Sequence, residues 1–164
     1  MTSADVPRVV AITDEIHASL PESAPVFAER VTLFPQGCFV YSLSPHSEHE
    51  IVGYALSFPI CAGTPPALDT FLGEISSGAD QYYIHDVAVL PSFRASGAAS
   101  EVVRRMLDVA KACGHATTGL ISVYGTVNFW GRFGFTLHEV DEALEEKLRG
   151  YGPEAKYMVR DNVL

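Results

Sequence analysis

The sequence predicts an α+β protein: a mixed, mostly antiparallel sheet flanked by helices, with one parallel pair at a crossover. Two observations carry this. Residues 37–59 hold two runs rich in aromatic and β-branched residues, "GCFVYSL" and "IVGYALSFP", separated by the polar stretch "SPHSEHE" (44–50), which is the pattern of a β-hairpin. Residues 82–123 then run strand, helix, strand. Two strands joined through a helix need a crossover connection, and a crossover makes a parallel pair. Helices and strands mixed in this way pack as a sheet covered by helices. The 164 residues fit one domain, 1–164, around a single core.

The elements follow in order. Residues 6–20 read as a helix with Val9, Val10, Ile12, Ile16 and Leu20 on its apolar side, stopped by Pro21. "APVFAERVTLF" (24–34) reads as a second helix. After the hairpin comes "CAGTPPALDTFLGEISSGADQ", a long connection rich in Gly, Pro and Ser. "YYIHDVAVL" (82–90) is the most apolar strand. Residues 98–113 place Val102, Val103, Met106, Leu107, Ala110 and Cys113 at helical spacing, and Gly114 stands where a C-terminal cap belongs. "TGLISV" (118–123) is a strand and "VNFWGRF" (127–133) a short helix ended by Gly134. "FTLHEV" and "KYMVRDNV" read as strands around an acidic helix or loop near 141–149.

Composition narrows the function. Apolar residues make up 48% and charged residues 19%, which suits a packed core and not a disordered chain. A formal net charge of −9 argues against nucleic acid and against an anionic membrane surface, both of which attract basic patches. It suits a cationic substrate, and it equally suits plain solubility. The first residues, "MTSADVPRVVAITDEIHASL", lack a basic start followed by a long apolar run, so no signal peptide is expected. No stretch approaches the roughly 20 apolar residues of a membrane span. Cys38, Cys61 and Cys113 are odd in number and widely spaced, which points to free thiols and a cytoplasmic setting. His46 and His49, spaced as H-x-x-H beside Glu48 and Glu50, lack a third ligand and read as a polar hairpin turn; no metal site is expected.

The segment "DVAVLPSFRASGAAS" (86–100) bears most on chemistry. A buried strand stops at Pro91, one cation follows at Arg94, and a run of small residues leads into a helix. Unpaired N–H groups at a helix N-terminus attract anions, and small residues let that backbone approach a phosphate closely. Arg94 adds a charge-assisted donor at the mouth. The P-loop pattern GxxxxGK[ST] and the dinucleotide pattern GxGxxG are both absent. A plain strand-to-helix turn built on Gly97 is the competing reading.

"VAVLPSFRASGAASEVVRRML" resembles the coenzyme A signature of the GNAT acetyltransferases: an apolar strand, a proline, then Arg or Gln, x, x, Gly, x, Gly or Ala. "VNFWGRFGFTLHEV" resembles the second conserved block of that family, and "IVGYALSFP" the strand before the cofactor strand. The resemblance covers roughly residues 6–160. It implies acetyl-CoA as co-substrate. Val87, Ala88 and Val89 would pair with the pantetheine arm like an added strand, a mode suited to its two amides. Arg94, Ala95, Ser96, Gly97, Ala98 and Ala99 would hold the pyrophosphate, and Asn128 would bond the cofactor arm. Three positions depart from the pattern: Ala95 replaces a frequent glycine, Ala99 replaces the second motif glycine, and Ser96 replaces a frequent basic residue. Phosphate binding would then lean on backbone N–H groups and Arg94. The family often forms homodimers.

Acetyl transfer to an amine requires a neutral nucleophile, yet an alkylamine has a pKa of about 10, so a base must take a proton. His85 is the first candidate, because an imidazole near pH 6.5 suits the task and arylalkylamine-type members resemble this chain in carrying a histidine there. The backbone N–H near Val89 is the expected oxyanion donor, as the resemblance implies. Tyr83 shares the face of His85 by period-two alternation, while Asp86 falls on the other face with Ile84 and Ala88. The general acid is less direct. Where many members place a tyrosine, this chain has Trp130, whose indole N–H is no practical acid. Tyr124 is the candidate in its stead. For the acceptor, "SLPES" (19–23) and the 60–81 loop would form the pocket, with Glu22, Tyr83 and Asp86 as substrate-binding candidates and Asp80 as a further carboxylate. These readings describe an N-acetyltransferase acting on a primary amine, expected to be small and cationic. Two alternatives stand beside it: an acyl-CoA-binding module with weak or no catalysis, and a protein or peptide N-acetyltransferase.

Overall fold

The computed structural model describes residues 1–44 and 51–162. The hairpin turn with His46 and His49 lies outside them. Helices α1 (Val6–Ile16) and α2 (Ala24–Leu33) precede strands β1 (Cys38–Ser42), β2 (Ile51–Ile60) and β3 (Gln81–Val89). Helix α3 (Ala98–Ala112), strand β4 (Thr117–Ser122), helix α4 (Val127–Gly131), strand β5 (Thr136–Leu137), helix α5 (Glu142–Gly150) and strand β6 (Lys156–Asp161) complete the order. The sheet runs β1-β2-β3-β4-β6-β5. Every neighbouring pair is antiparallel except β3 and β4, which α3 joins as a parallel crossover.

Local chemistry sets the helix ends. Pro7 and Pro25 occupy the first turns of α1 and α2, where a missing N–H costs nothing. Asp141 caps α5, accepting from Leu144 N at 2.8 Å. Gly114, at φ +76°, ends α3 in the left-handed conformation, and His115 N then reaches back to Ala110 O at 3.1 Å. Helix α1 is shorter than the expected 6–20. It ends at Ile16, and His17 turns away at φ −114°, ψ 39°. Pro21 is not what stops it; His17 leaves the helix to meet a carboxylate on β3. "FTLHEV" forms only the two-residue strand β5, and the short helix of 127–133 ends at Gly131.

Two apolar clusters hold the layers together. Val9, Ile12 and Phe27 of α1 and α2 pack on Tyr54, Leu56 and Ala88. Val103, Met106 and Ala110 of α3 join Tyr82, Ile84, Leu120, Met158 and Leu148 of α5 in the larger one. All ten residues of β2 are buried, which explains its continuous apolar run.

The sheet departs from regularity at one place that matters. Leu56 pairs with Asp86, but Ser57 pairs with Ile84, so His85 is an extra residue on β3: a β-bulge. Gly37 packs against β2 at this point. A Cβ there would lie 2.0 Å from Ser57 O and 2.6 Å from Phe34 Cδ1, and Ser57 Oγ donates to Gly37 O at 2.8 Å. Gly37→Ala is therefore expected to cost about 1–3 kcal/mol through overpacking, seen as a melting temperature lower by several degrees in a thermal unfolding scan. An unchanged melting temperature would show that the backbone yields there.

Candidate active site

Strands β3 and β4 pair only over Gln81–Ile84 and Thr117–Leu120. Past the bulge β3 separates from β4, which stays with β6 as far as Ser122. The gap is a cleft of about 590 Å³, lined by Val87 and Val89 on one wall and by Ile121, Val123 and Phe129 on the other. Leu90 N bonds Val52 O at 2.9 Å, so Leu90 directs its backbone toward β2. Antiparallel alternation then sends the backbone of Ala88 to β2 as well, and that of Val87 and Val89 to the cleft. Of the expected pantetheine partners, Ala88 thus spends its polar groups within the sheet. The Val89 carbonyl also has a partner, Arg94 Nε at 3.0 Å. The N–H groups of Val87 and Val89 are the donors that face the opening.

The phosphate-loop candidates lie at one end of this cleft. Residues Pro91–Ser96 form a 3-10 turn containing Arg94 and Ala95, and Gly97, at φ +82°, redirects the chain into α3. Only glycine adopts that angle without strain. Ser96 Oγ accepts from Ala98 N at 3.3 Å, taking one of the unpaired donors of the helix. Ala99 and Ser100 line the cleft beside Arg94 and Gly97. Ser96 and Ala98 border a separate depression against β1. Ser100 was not among the expected residues; its place in the first turn of α3 is the only signal that marks it.

The bulge governs the other end. Two successive residues, His85 and Asp86, face the side of α1, where strict alternation would have put them on opposite faces. His85 Nε2 lies 2.8 Å from Glu22 Oε2, and its ring is tilted against Phe58 and Tyr83 at centroid distances of 5.6 and 6.0 Å. Asp86 Oδ1 lies 3.2 Å from His17 Nε2, and Asp86 Oδ2 accepts from the Tyr54 hydroxyl. That hydroxyl accepts from Thr13 Oγ1 at 2.6 Å. The result is two crossed imidazole–carboxylate pairs. Both border the cleft, and both border an adjoining recess of about 40 Å³ that includes Leu20, Leu68 and Tyr151.

The charges of the second pair support each other. Burial disfavours the His17 imidazolium, but the Asp86 carboxylate outweighs it and holds the His17 pKa above its ordinary value. Burial likewise works against the Asp86 carboxylate, yet His17 and the Tyr54 hydroxyl hold its pKa below the ordinary carboxylate range. Tyr54 itself is pushed well above the usual phenol value, by burial first and by Asp86 second. Tyr124 stands at the cleft rim with φ +54°, stacked on His17 at 5.6 Å, its hydroxyl 3.4 Å from His17 Nδ1 and 3.5 Å from Ser19 Oγ.

Several expected residues lie elsewhere or do something else. Glu22 is 7% exposed and fully engaged by His85 and by Asp69 N at 3.2 Å, so it is no open anchor for an ammonium group. Tyr83 is buried beneath the His85 ring and does not line the cleft. Asn128 is exposed on the far side of α4, near Phe135 and Met158, and away from the cleft. Asp80 anchors its own loop through Ala62 N at 2.7 Å. Trp130 borders the cleft but is held edge-on by Phe129 and Phe135, a packing position. Cys38, Cys61 and Cys113 are free thiols, and burial pushes Cys38 up to about 11. Sequence reasoning missed His17, Tyr54 and Thr13. The places of His17 and Thr13 depend on the course of α1 and that of Tyr54 on the β2–β3 register, and no motif marks either. Among the described residues, no cluster of three or more His, Cys, Asp or Glu is placed to hold a metal, and no helix is long and apolar enough to cross a membrane.

Solved structures share this fold over nearly the whole chain. Ard1 from Thermoplasma volcanium superposes with a TM-score of 0.72 at 13% identity, covering 100% of this chain and 95% of that one. The GNAT-like decarboxylase GphF, solved with isobutyryl-CoA, gives 0.73 at 16% identity, covering 99% and 97%. The ribosomal-protein-S18-alanine N-acetyltransferase from Escherichia coli gives 0.65 at 16% identity, covering 100% and 92%. Identities this low speak for the fold alone. Among curated proteins, none matches the sequence significantly. The family model described as "Acetyltransferase (GNAT) family" matches residues 10–135, which hold both the bulged strand and the loop into α3, and the chain belongs to that family.

Proposed function

We propose that the protein transfers an acetyl group from acetyl-CoA to a primary amine by direct attack on the thioester. One observation carries the reading: the bulge at His85 opens a strand edge toward a cleft that runs from a helix N-terminus to the two imidazole–carboxylate pairs. The Val87 and Val89 N–H groups suit the amides of a pantetheine arm. The mouth of α3 at Ala99 and Ser100, with Arg94, suits a pyrophosphate. Relatives of the same fold solved with coenzyme A or an acyl-CoA support this choice of co-substrate.

The amine nitrogen attacks the thioester carbonyl, the carbon–sulfur bond breaks, and the amine proton goes to His85. A backbone N–H on the open edge of β3 stabilises the developing oxyanion. The departing thiolate has a conjugate-acid pKa of roughly 8.5, so a donor helps without being obligatory. Tyr124, beside His17, fills that role. The acidic net charge favours a cationic acceptor, and the recess of about 40 Å³ favours a compact one. The likeness to arylalkylamine-type members rests on His85, and Phe129 and Trp130 on the cleft wall are compatible with an aromatic amine. Three free thiols are in keeping with a cytoplasmic protein of one domain.

Release of free thiol from acetyl-CoA, measured over a panel of aliphatic, aromatic and peptide amines, tests the proposal. Turnover of a small amine is the expected result. Coenzyme A binding without turnover on any amine would identify a binding module instead, and faster turnover of peptides would move the acceptor to proteins.

A further inference from the structure

We infer that Glu22 is a positioning residue for His85, holding its Nε2–H tautomer so that Nδ1 is the atom that takes the proton. The inference rests on the transferase reading for its consequence in turnover, and on geometry for its chemistry. Glu22 and His85 are 63 residues apart in sequence and 2.8 Å apart in space. Their side chains are 5% and 2% exposed. A carboxylate this buried needs donors for its oxygens, because burying its charge unpaired is costly. One oxygen receives Asp69 N–H, and the other faces His85 Nε2.

An ionised carboxylate only accepts, so the hydrogen in this bond belongs to Nε2. In a neutral imidazole, a proton on Nε2 leaves Nδ1 as a lone-pair acceptor. Nδ1 is buried and has no partner among the described residues. An imidazole held by a carboxylate on one nitrogen and bare on the other is set up as a base. When the amine attacks and the thioester carbon–sulfur bond breaks, the amine proton lands on Nδ1 and the imidazolium formed is stabilised by Glu22.

Glu22 is fixed from behind as well. Asp69, at φ +52°, donates its N–H to Glu22 and accepts at its carboxylate from Ser23 N at 2.8 Å and Ser23 Oγ at 2.7 Å. The 61–80 connection is clasped further by Arg30 Nη2 on Thr70 O at 2.6 Å and by Glu29 on Leu72 N and Gly73 N, each at 2.9 Å. The loop that closes the recess and the carboxylate that orients the base are thus one assembly.

Nitrogen-15 NMR of the full chain reads the tautomer of His85 directly. The wild type is expected to show Nε2–H. Glu22→Gln offers an amide that can donate as well as accept, so mixed tautomers are expected. Its kcat should fall by roughly tenfold or more, with KM for acetyl-CoA within about twofold. Glu22→Asp should recover part of the kcat, because it restores the acceptor. An Nδ1–H form in the wild type overturns the assignment, as does Glu22→Gln with wild-type tautomer and kcat. The wild-type spectrum decides even if Glu22→Gln fails to fold. It also separates the two ideas: a wild type inactive on every amine but holding Nε2–H loses the transferase reading and keeps the Glu22 assignment.

Discussion

His85→Gln is expected to lower kcat by about 10²- to 10⁴-fold, the usual contribution of a positioned base, while coenzyme A binds as tightly as before. The separation follows from where the two tasks sit. The amides facing the cleft belong to the backbone of Val87 and Val89 and to the mouth of α3, none of which depends on the His85 ring. Glutamine keeps much of the bulk packed against Phe58 and Tyr83 but has no basic nitrogen. Steady-state rates with the best amine, beside a calorimetric titration with coenzyme A, give both quantities. A kcat within threefold of wild type would remove His85 as the base and turn attention to His17 and Tyr124.

Asp86→Asn should destabilise the fold by about 1.5–3 kcal/mol, the range for a hydrogen-bonded charged group, and the loss should depend on pH in a definite way. The His17 pKa is raised in the folded state, so its contribution is fully present below the unfolded value near 6.5 and fades as pH rises through the raised folded value. The Asp86 pKa is depressed, so its contribution is present above the unfolded value near 3.9 and fades as pH falls through the depressed one. The gap between wild type and variant is therefore widest between about pH 4 and 6.5. It should narrow on both sides. Glu22 also raises His17 and Arg94 lowers it, but Asp86 is the largest charge acting on it. Denaturant melts from about pH 2 to 9 measure the gap on both sides of that window. A gap independent of pH, or one that grows toward alkaline pH, would show that the pair does not act as an ion pair.

Reading the chain as a sequence succeeded where the signal is local. The hairpin, the crossover and the loop from Arg94 to Ala99 depend on period, turn residues and near neighbours, and the fold contains each of them. It failed where a residue's role is set by a distant partner. Alternation along β3 put Asp86 opposite His85, because one extra residue in a strand leaves no mark in its composition. Pro21 looked like the end of the first helix, yet α1 ends at Ile16, and His17 beyond it lies 3.2 Å from Asp86.

By itself, then, the sequence determined the α+β architecture, the strand that faces the cleft and the small-residue turn at the helix mouth, since periodicity and backbone geometry are properties of neighbouring residues. The tertiary structure alone decided what surrounds His85. It paired His85 with Glu22 and Asp86 with His17, and it turned Asn128 and Tyr83 away from the cleft. Those outcomes depend on contacts between segments tens of residues apart, where burying a charge requires a partner that only the folded chain can bring.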